Sequence, residues 1–341
     1  MLHRRAEGKD RKGLSMSQPG KNNLITDVAG IRVGNAHDVT AKTGTSVILC
    51  EPPCVGAVAV AGGGPGTREI DLLASDKLVD HVNGVVLSGG SAYGLAAADG
   101  VAAALGAQGQ GFAMVDRPGV PKTPIVPSAI LYDLANGGDK SWGNTPPYRA
   151  LGETALASAT GATFSLGRAG AGFGALAGQH SGGLGSASIE TEDGMTVGAL
   201  VAVNSFGSVY MPGTAAFWAW PYEVEDEFGG ARPPASYRAD AENWGAAKQN
   251  PQPGENTTIA CIATDISLTP GQASRVAQMA LAGMARAIRP VFAPFDGDVV
   301  FVLSTAQQPL AEPGSLNVTR LGELAAGTLA RAIARGVYEA Q

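Results

Sequence analysis

The chain reads as an α/β protein whose sheets and helices stack in layers. Short apolar runs such as Val55 to Val60, Val197 to Val203 and Val299 to Ser304 alternate with alanine-rich stretches of helical length. Its 48 glycines point to small residues and tight turns between those runs. At 341 residues, a hydrophobic share of 45% supports a substantial core, in one large domain or two ordinary ones.

Composition also excludes classes of function. A net charge of −6 argues against a general nucleic-acid binder, which is usually basic. Cys50, Cys54 and Cys261 cannot form a disulfide framework, and no second cysteine pair or nearby histidine completes a zinc site. Cys261 is expected as a buried thiol, and a reducing cytoplasm suits all three. Residues 1–21 carry Arg4, Arg5, Lys9, Arg11 and Lys12 against Glu7 and Asp10, the pattern of a solvated, disordered tail. They lack the apolar centre of an export signal, which again points to the cytoplasm. No uninterrupted apolar run reaches the ~20 residues of a bilayer span, so no membrane partner is expected.

Taken in order, Leu24 to Val33 opens the folded part, and Thr45 to Leu49 and Val55 to Val60 read as strands. The turn Gly62-Gly63-Gly64-Pro65-Gly66-Thr67 suits a backbone that approaches something closely. No Gly-Lys-Ser/Thr follows it, so it is not a phosphate loop. Arg68, Glu69 and Asp71 suit a surface network or a subunit contact. Val85 to Leu87 is a buried strand leading through Ser88-Gly89-Gly90-Ser91 into a helix from about Ala92 to Leu105. That setting makes Ser91 a rival nucleophile. An elbow wants glycine two residues after the serine, where Tyr93 stands, and His180 is the only later histidine. A capping or oxyanion-loop role suits Ser91 better, because free N–H groups at a helix start attract negative charge.

Ile125 to Asp133 alternates as a strand with Tyr132 near its end, and a helix follows from about Arg149 to Ala159. Gly167 to Gly185 is a glycine-dense loop holding Arg168, Gln179 and His180. Ala187 to Thr191 and Val197 to Val203 pair through the turn Glu192-Asp193-Gly194. Asn204 then either faces a site or begins a turn with Ser205. Tyr222 to Asn256 is rich in carboxylates and prolines, and so long a structureless stretch is functional or disordered. Thr269-Pro270-Gly271-Gln272 is a capping box whose helix runs to about Ile288, before Pro290. Val299 to Ser304 and a helix from Thr319 to about Val337 close the chain.

Two stretches carry chemistry. At Asn256-Thr257 a polar, proline-rich loop ends and an apolar strand begins. If the Thr257 hydroxyl attacks the Asn256 carbonyl and the ester hydrolyses, a new terminus pairs a nucleophile with its own base. An α-amino group, with pKa ~7.7–8, serves as that base near neutral pH. The bland alternative is that Thr257 and Thr258 merely start a strand. Asp296 and Asp298, two apart where a strand begins, fall on one face, where close carboxylates share a proton. They could orient or protonate the Thr257 amine and hydroxyl. The alternatives are an Asp-Gly-Asp surface turn or a calcium loop, though further oxygen ligands are missing.

Asn256-Thr257-Thr258-Ile259, the helix after it, Phe295-Asp296-Gly297-Asp298, Leu87 to Leu95 and Gly167 to Gly172 together resemble the nylon-oligomer hydrolases. Those enzymes sit within the self-cleaving β-peptidyl and D-aminopeptidases of the DmpA type. The resemblance, from about Leu24 to Gly336, implies a four-layer αββα sandwich of the N-terminal-nucleophile kind. It is one domain processed into an α piece, 22–256, with a processing loop at 222–256, and a β piece, 257–341. It implies Thr257 as nucleophile, Asp296 and Asp298 as its acid pair, and Asn204 and Tyr132 as lining groups that stabilise an oxyanion. It implies neither metal nor organic cofactor, a homotetramer of processed pairs, and 6-aminohexanoate oligomers as leading substrates. A β- or D-amino-acid aminopeptidase is the near alternative, a glutamate N-acetyltransferase-like enzyme or a non-catalytic scaffold the farther ones. The chain departs from the pattern at Gln179, where relatives carry lysine.

Overall fold

The computed structural model describes residues 17–249 and 256–341. In chain order the elements are β1 (Ile31–Asp38), β2 (Thr43–Val60), β3 (Gly66–Arg68), β4 (His81–Ser88), α1 (Ala96–Ala107), β5 (Ser128–Ile130) and α2 (Tyr148–Ala157). They continue with β6 (Leu176–Ala177), β7 (His180–Ser181), β8 (Gly183–Glu190), β9 (Thr196–Asn204), β10 (Thr257–Ile266), α3 (Pro270–Ala287), β11 (Val299–Gln308) and α4 (Gly314–Tyr338).

Hydrogen bonding links the strands in the order β3-β5-β4-β2-β11-β10-β9-β8, with β1 added on β2. The two expected sheets are therefore joined, and β2 joins them. Its first part pairs with β1 and β4, and its last part, from Val55, with β11. Period-two alternation then sends successive side chains to different layers. Val47, Leu49 and Val86 lie under α1 and α2 with Val101, Leu105 and Leu151. Ile48, Leu87, Leu200, Ile259 and Phe301 meet between the sheet layers. Ala260, Ile262, Val300 and Val302 lie under α3 and α4 against Ala277 and Leu329. Three buried clusters thus separate four layers, the αββα order. Each fully buried Ile or Val contributes ~1.5–3 kcal/mol, so β10, buried along its whole length, is a stiff central strand.

Local chemistry accounts for the elements. The Thr269 hydroxyl accepts from the Gln272 N–H at 3.3 Å while the Gln272 side chain accepts from the Thr269 N–H at 2.9 Å, which fixes the start of α3. The β8–β9 hairpin turns at Gly194, whose φ of +88° needs glycine.

Several expectations are corrected. The strand expected over Ile125 to Asp133 pairs only from Ser128 to Ile130; Pro124 and Pro127 have no N–H for a ladder. The two strands expected before residue 60 are one, irregular between Leu49 and Cys54. That irregularity brings Cys50 and Cys54 together as a disulfide, Cα–Cα 6.0 Å, in place of two thiols. Cys261 is free and buried. Residues 17–21, expected as the end of the tail, lie on the sheet. Gln18 bridges Glu190, and the Gly20 N–H donates to Ser188 Oγ at 3.1 Å. The rest of that tail, residues 1–16, and residues 250–255 of the processing loop lie outside the described residues. No helix among the described residues is long and apolar enough to cross a membrane.

Candidate active site

Four chain segments meet at one end of the sheet, and strand direction explains why. β10 and β11 run parallel with Ile259 beside Val299, so the residues just before each, Thr257 and the Asp296–Asp298 turn, arrive together. β9 and β2 run antiparallel to these strands and finish at the same end. Asn204 lies directly across the ladder from Thr257, and Val60 across from Val299.

Thr257 is 2% exposed and Asn256 fully buried. The Thr257 hydroxyl donates to the carbonyl oxygen of Asn256, the residue it follows. The same oxygen accepts from the Gly297 N–H at 2.9 Å. A hydroxyl, a carbonyl and a backbone N–H donor are thus assembled in a buried site, an arrangement acyl transfer can use.

The acid pair is held by backbone. Asp298, 1% exposed, accepts from the N–H groups of Thr258 at 2.8 Å and Phe292 at 3.1 Å. Asp296 accepts from the Ala293 N–H at 3.1 Å. Burial pushes both carboxyls up from the usual range. The charge of Asp296 adds to the effect on Asp298, which reaches about 7. Charge on one carboxyl thus opposes ionisation of the other.

The glycine turn finds its role here. The Gly64 N–H donates to the Asp296 carbonyl at 2.7 Å, and the Ala61 N–H to the Asp298 carbonyl at 3.0 Å. A Cβ on Gly62 would stand 2.4 Å from both the Asp296 carbonyl oxygen and the Asp298 nitrogen, so only glycine lets the turn brace the acid loop.

Asn204 is used structurally as well as by position. Its amide oxygen accepts from the Leu176 N–H at 2.9 Å and its amide nitrogen donates to the Tyr132 carbonyl at 3.0 Å. Tyr132 joins the site through this backbone contact. Both residues line a cavity of about 110 Å³ with Asp133, Ala135, Asn136, Gly174, Leu176 and Lys248. Thr257, Asp296, Asp298 and Asn204 are therefore brought together, with Tyr132 beside them.

Ser91 has a different setting. Its N–H donates to the Leu131 carbonyl at 2.9 Å, and the neighbouring Gly90 N–H to Asp133 at 2.8 Å. The anion at this helix start is thus the chain's own Asp133, whose carboxyl burial raises to about 6. These N–H groups are occupied, and among the described residues the Ser91 hydroxyl bonds no base. His180 packs on Tyr210 at 4.7 Å, and Arg168 lies over Phe173 at 5.8 Å. Arg68 pairs with Asp99 at 3.8 Å on the surface.

Lys248 was not singled out by sequence reasoning. Its ammonium donates to the Asn204 carbonyl at 3.2 Å. The one signal in the sequence was its isolation, since it is the only cation between Arg238 and Arg275.

A family model described as peptidase family S58 matches residues 23–341. An uncharacterized aminopeptidase of Mycobacterium tuberculosis is 42% identical over 336 residues, 94% of each chain. A 6-aminohexanoate-oligomer endohydrolase of Kocuria is 31% identical over 322 residues, 90% of this chain and 83% of its own. A Burkholderia beta-aminopeptidase structure superposes with a TM-score of 0.67 at 22% identity, over 95% of this chain and 88% of its own. The L-aminopeptidase D-Ala-esterase/amidase of Ochrobactrum anthropi, described as a variant of the Ntn hydrolase fold, gives 0.66 at 18% identity, over 96% and 90%. The last two likenesses bear on fold.

Proposed function

Because the chain belongs to peptidase family S58 and is a hydrolase of amide bonds, we propose that it works through an N-terminal threonine, Thr257, freed by cutting its own Asn256–Thr257 bond. The observation that carries the reading is the Thr257 hydroxyl held against the Asn256 carbonyl, with the Gly297 N–H on the same oxygen.

The proposed steps begin from that arrangement, with the hydroxyl proton turned from the Asn256 carbonyl to the carboxyl pair. Thr257 Oγ1 gives its proton to the carboxyl pair and bonds to the Asn256 carbonyl carbon, while Gly297 holds the oxyanion. The carbon–nitrogen bond breaks, the proton passes to the leaving amine, and an ester links Asn256 to Thr257. Water hydrolyses the ester, leaving the Asn256 carboxylate and a Thr257 with free amine and free hydroxyl. In the second cycle the freed amine takes the hydroxyl proton as Oγ1 attacks a substrate amide. The leaving amine carries that proton away, and water releases the acyl group.

Linear amides such as 6-aminohexanoate oligomers are the proposed substrates, supported by the activity for which the Kocuria relative is named. An aminopeptidase activity is the second reading, favoured by the names of the mycobacterial relatives. Assembly as a homotetramer of processed pairs, without metal or organic cofactor and in the cytoplasm, belongs to the same proposal.

The test is Thr257→Ala beside Thr257→Ser. The alanine chain should stay whole and inactive while folded. The serine chain should be cut and retain some turnover, with the smaller piece beginning at residue 257 by mass spectrometry. An alanine chain that still hydrolyses amides would overturn the proposal. Rates on capped against free-amine oligomers then choose between the two substrate readings.

A further inference from the structure

Lys248 lies eight residues before Asn256, on the segment that leads into the proposed scissile bond. Its side chain lines the cavity beside Asn204, and its ammonium reaches the Asn204 carbonyl at 3.2 Å. Asn204 is the ladder partner of Thr257, so this cation fastens the strand end that faces the nucleophile.

The segment carrying it is clamped from two sides. The Lys248 N–H donates to the Phe206 carbonyl at 3.0 Å, and the Gln179 N–H to the Ala246 carbonyl at 2.8 Å. The Gln179 side chain donates to the Ala247 carbonyl at 3.0 Å. Gly178, with φ +56° and only 2.2 Å between a built Cβ and the Ala246 oxygen, permits the approach. All these anchors lie upstream of residue 250, so cutting at Asn256 leaves them in place.

We propose that Lys248, set by Gln179, is a positioning residue of the threonine site, its ammonium fixing the end of β9 opposite Thr257 before and after the chain is cut. The proposal rests on the reading of Thr257 as nucleophile. Its charge acts on Asp296 in the sense that favours the carboxylate. Among the described residues, the charged groups acting on Asp296 are Asp298 on its own loop and Lys248 from this segment. The glycine turn at Gly62–Gly64 offers backbone only, the end of β9 offers Asn204, Ser205 and Phe206, and Asp133 lines the same cavity as Lys248. Removing the ammonium therefore makes Asp296 harder to ionise.

The experiment compares Lys248→Met, Lys248→Arg and Gln179→Ala with the parent and with Thr257→Ala, using intact mass for processing and kcat/KM from pH 5 to 9. Lys248→Met should lose tenfold or more in kcat/KM, with its acid limb moved up by about 1 pH unit, the usual effect of losing one nearby opposite charge. Lys248→Arg should restore most of the rate and the limb. Gln179→Ala should lose about fivefold, the equivalent of one hydrogen bond. Should Lys248→Met fail to fold, Lys248→Cys aminoethylated with bromoethylamine carries the test, since Cys50, Cys54 and Cys261 are all buried. There the restored amine should recover the rate, and no recovery would refute the proposal. An unmoved limb with a near-parental rate in Lys248→Met, or Lys248→Arg no better than Lys248→Met, overturns the role of Lys248. With Thr257→Ala inactive, such a result leaves the threonine reading standing, whereas an active Thr257→Ala removes both.

Discussion

Asp298→Asn should change how stability depends on pH as well as turnover, and the structure gives the size of the effect. Asp298 is 1% exposed and accepts two backbone N–H bonds, from Thr258 and Phe292. Asparagine keeps one acceptor and turns an amide donor toward the other N–H, at a cost of about 2–3 kcal/mol. In the parent, burial and the charge of Asp296 raise the carboxyl from 3.8 to about 7. At about 1.4 kcal/mol per pKa unit, ionising it in the folded chain costs roughly 4 kcal/mol. A group whose folded pKa is raised contributes its stability below the unfolded pKa and loses it as pH rises through the folded one. The parent should therefore weaken between about pH 4 and pH 7 by an increment the variant lacks. At pH 4 the variant should be the less stable by about 2–3 kcal/mol, and by pH 8 the gap should close or reverse. Urea titrations at both pH values, made in the uncut Thr257→Ala chain so that chain number stays constant, would measure it. In the Thr257 parent, Asp298→Asn should cut turnover by ~10²–10⁴, the usual worth of a positioned acid or base. Equal pH slopes with near-parental turnover would reduce Asp296-Gly297-Asp298 to a structural turn.

Three other outcomes can be checked. Gly62→Ala drives a Cβ to 2.4 Å from the acid loop and should cost about 1–3 kcal/mol in denaturant titration, with slowed processing. Ser91→Ala should be processed normally and keep most of its turnover, while an acylating inhibitor followed by peptide mapping labels Thr257; a label on Ser91 would reverse the assignment. Light scattering at micromolar concentration should give a closed oligomer of four processed pairs, and a monomer mass would contradict that assembly.

The legible parts of the sequence were those whose signal is local. The capping box at Thr269 and the turn at Glu192-Asp193-Gly194 each lie within a few residues, and both appear as expected. The meeting of Thr257 with Asp296 and Asp298, which the resemblance implied, has a related cause. Thr257 and the Asp296–Asp298 turn each sit where an apolar strand begins, and parallel pairing of β10 with β11 sets the two strand starts side by side. What stayed hidden depends on long-range register. Nothing near Gly62 announces that its partner is the acid loop more than 230 residues on. Two apolar runs near residue 50 looked like two strands, because a bulge that joins sheet layers has the local signature of a turn.

Lys248 shows the same limit more sharply. In sequence it is a lone cation in a polar loop, a pattern that ordinarily marks a solvated side chain. Its position is decided by Gly178 and Gln179, some 70 residues earlier, whose backbone and amide seize Ala246 and Ala247. Gln179 is thus the residue that anchors the segment bearing the lysine, and that lysine reaches the end of β9. That chain of contacts makes the pair testable together. In the double variant Gln179→Ala/Lys248→Met, the loss should fall short of the sum of the single losses, because loosening a segment matters little once its ammonium is gone. Strictly additive losses, read as logarithms of kcat/KM, would mean that Gln179 acts on the site by a route that does not pass through Lys248.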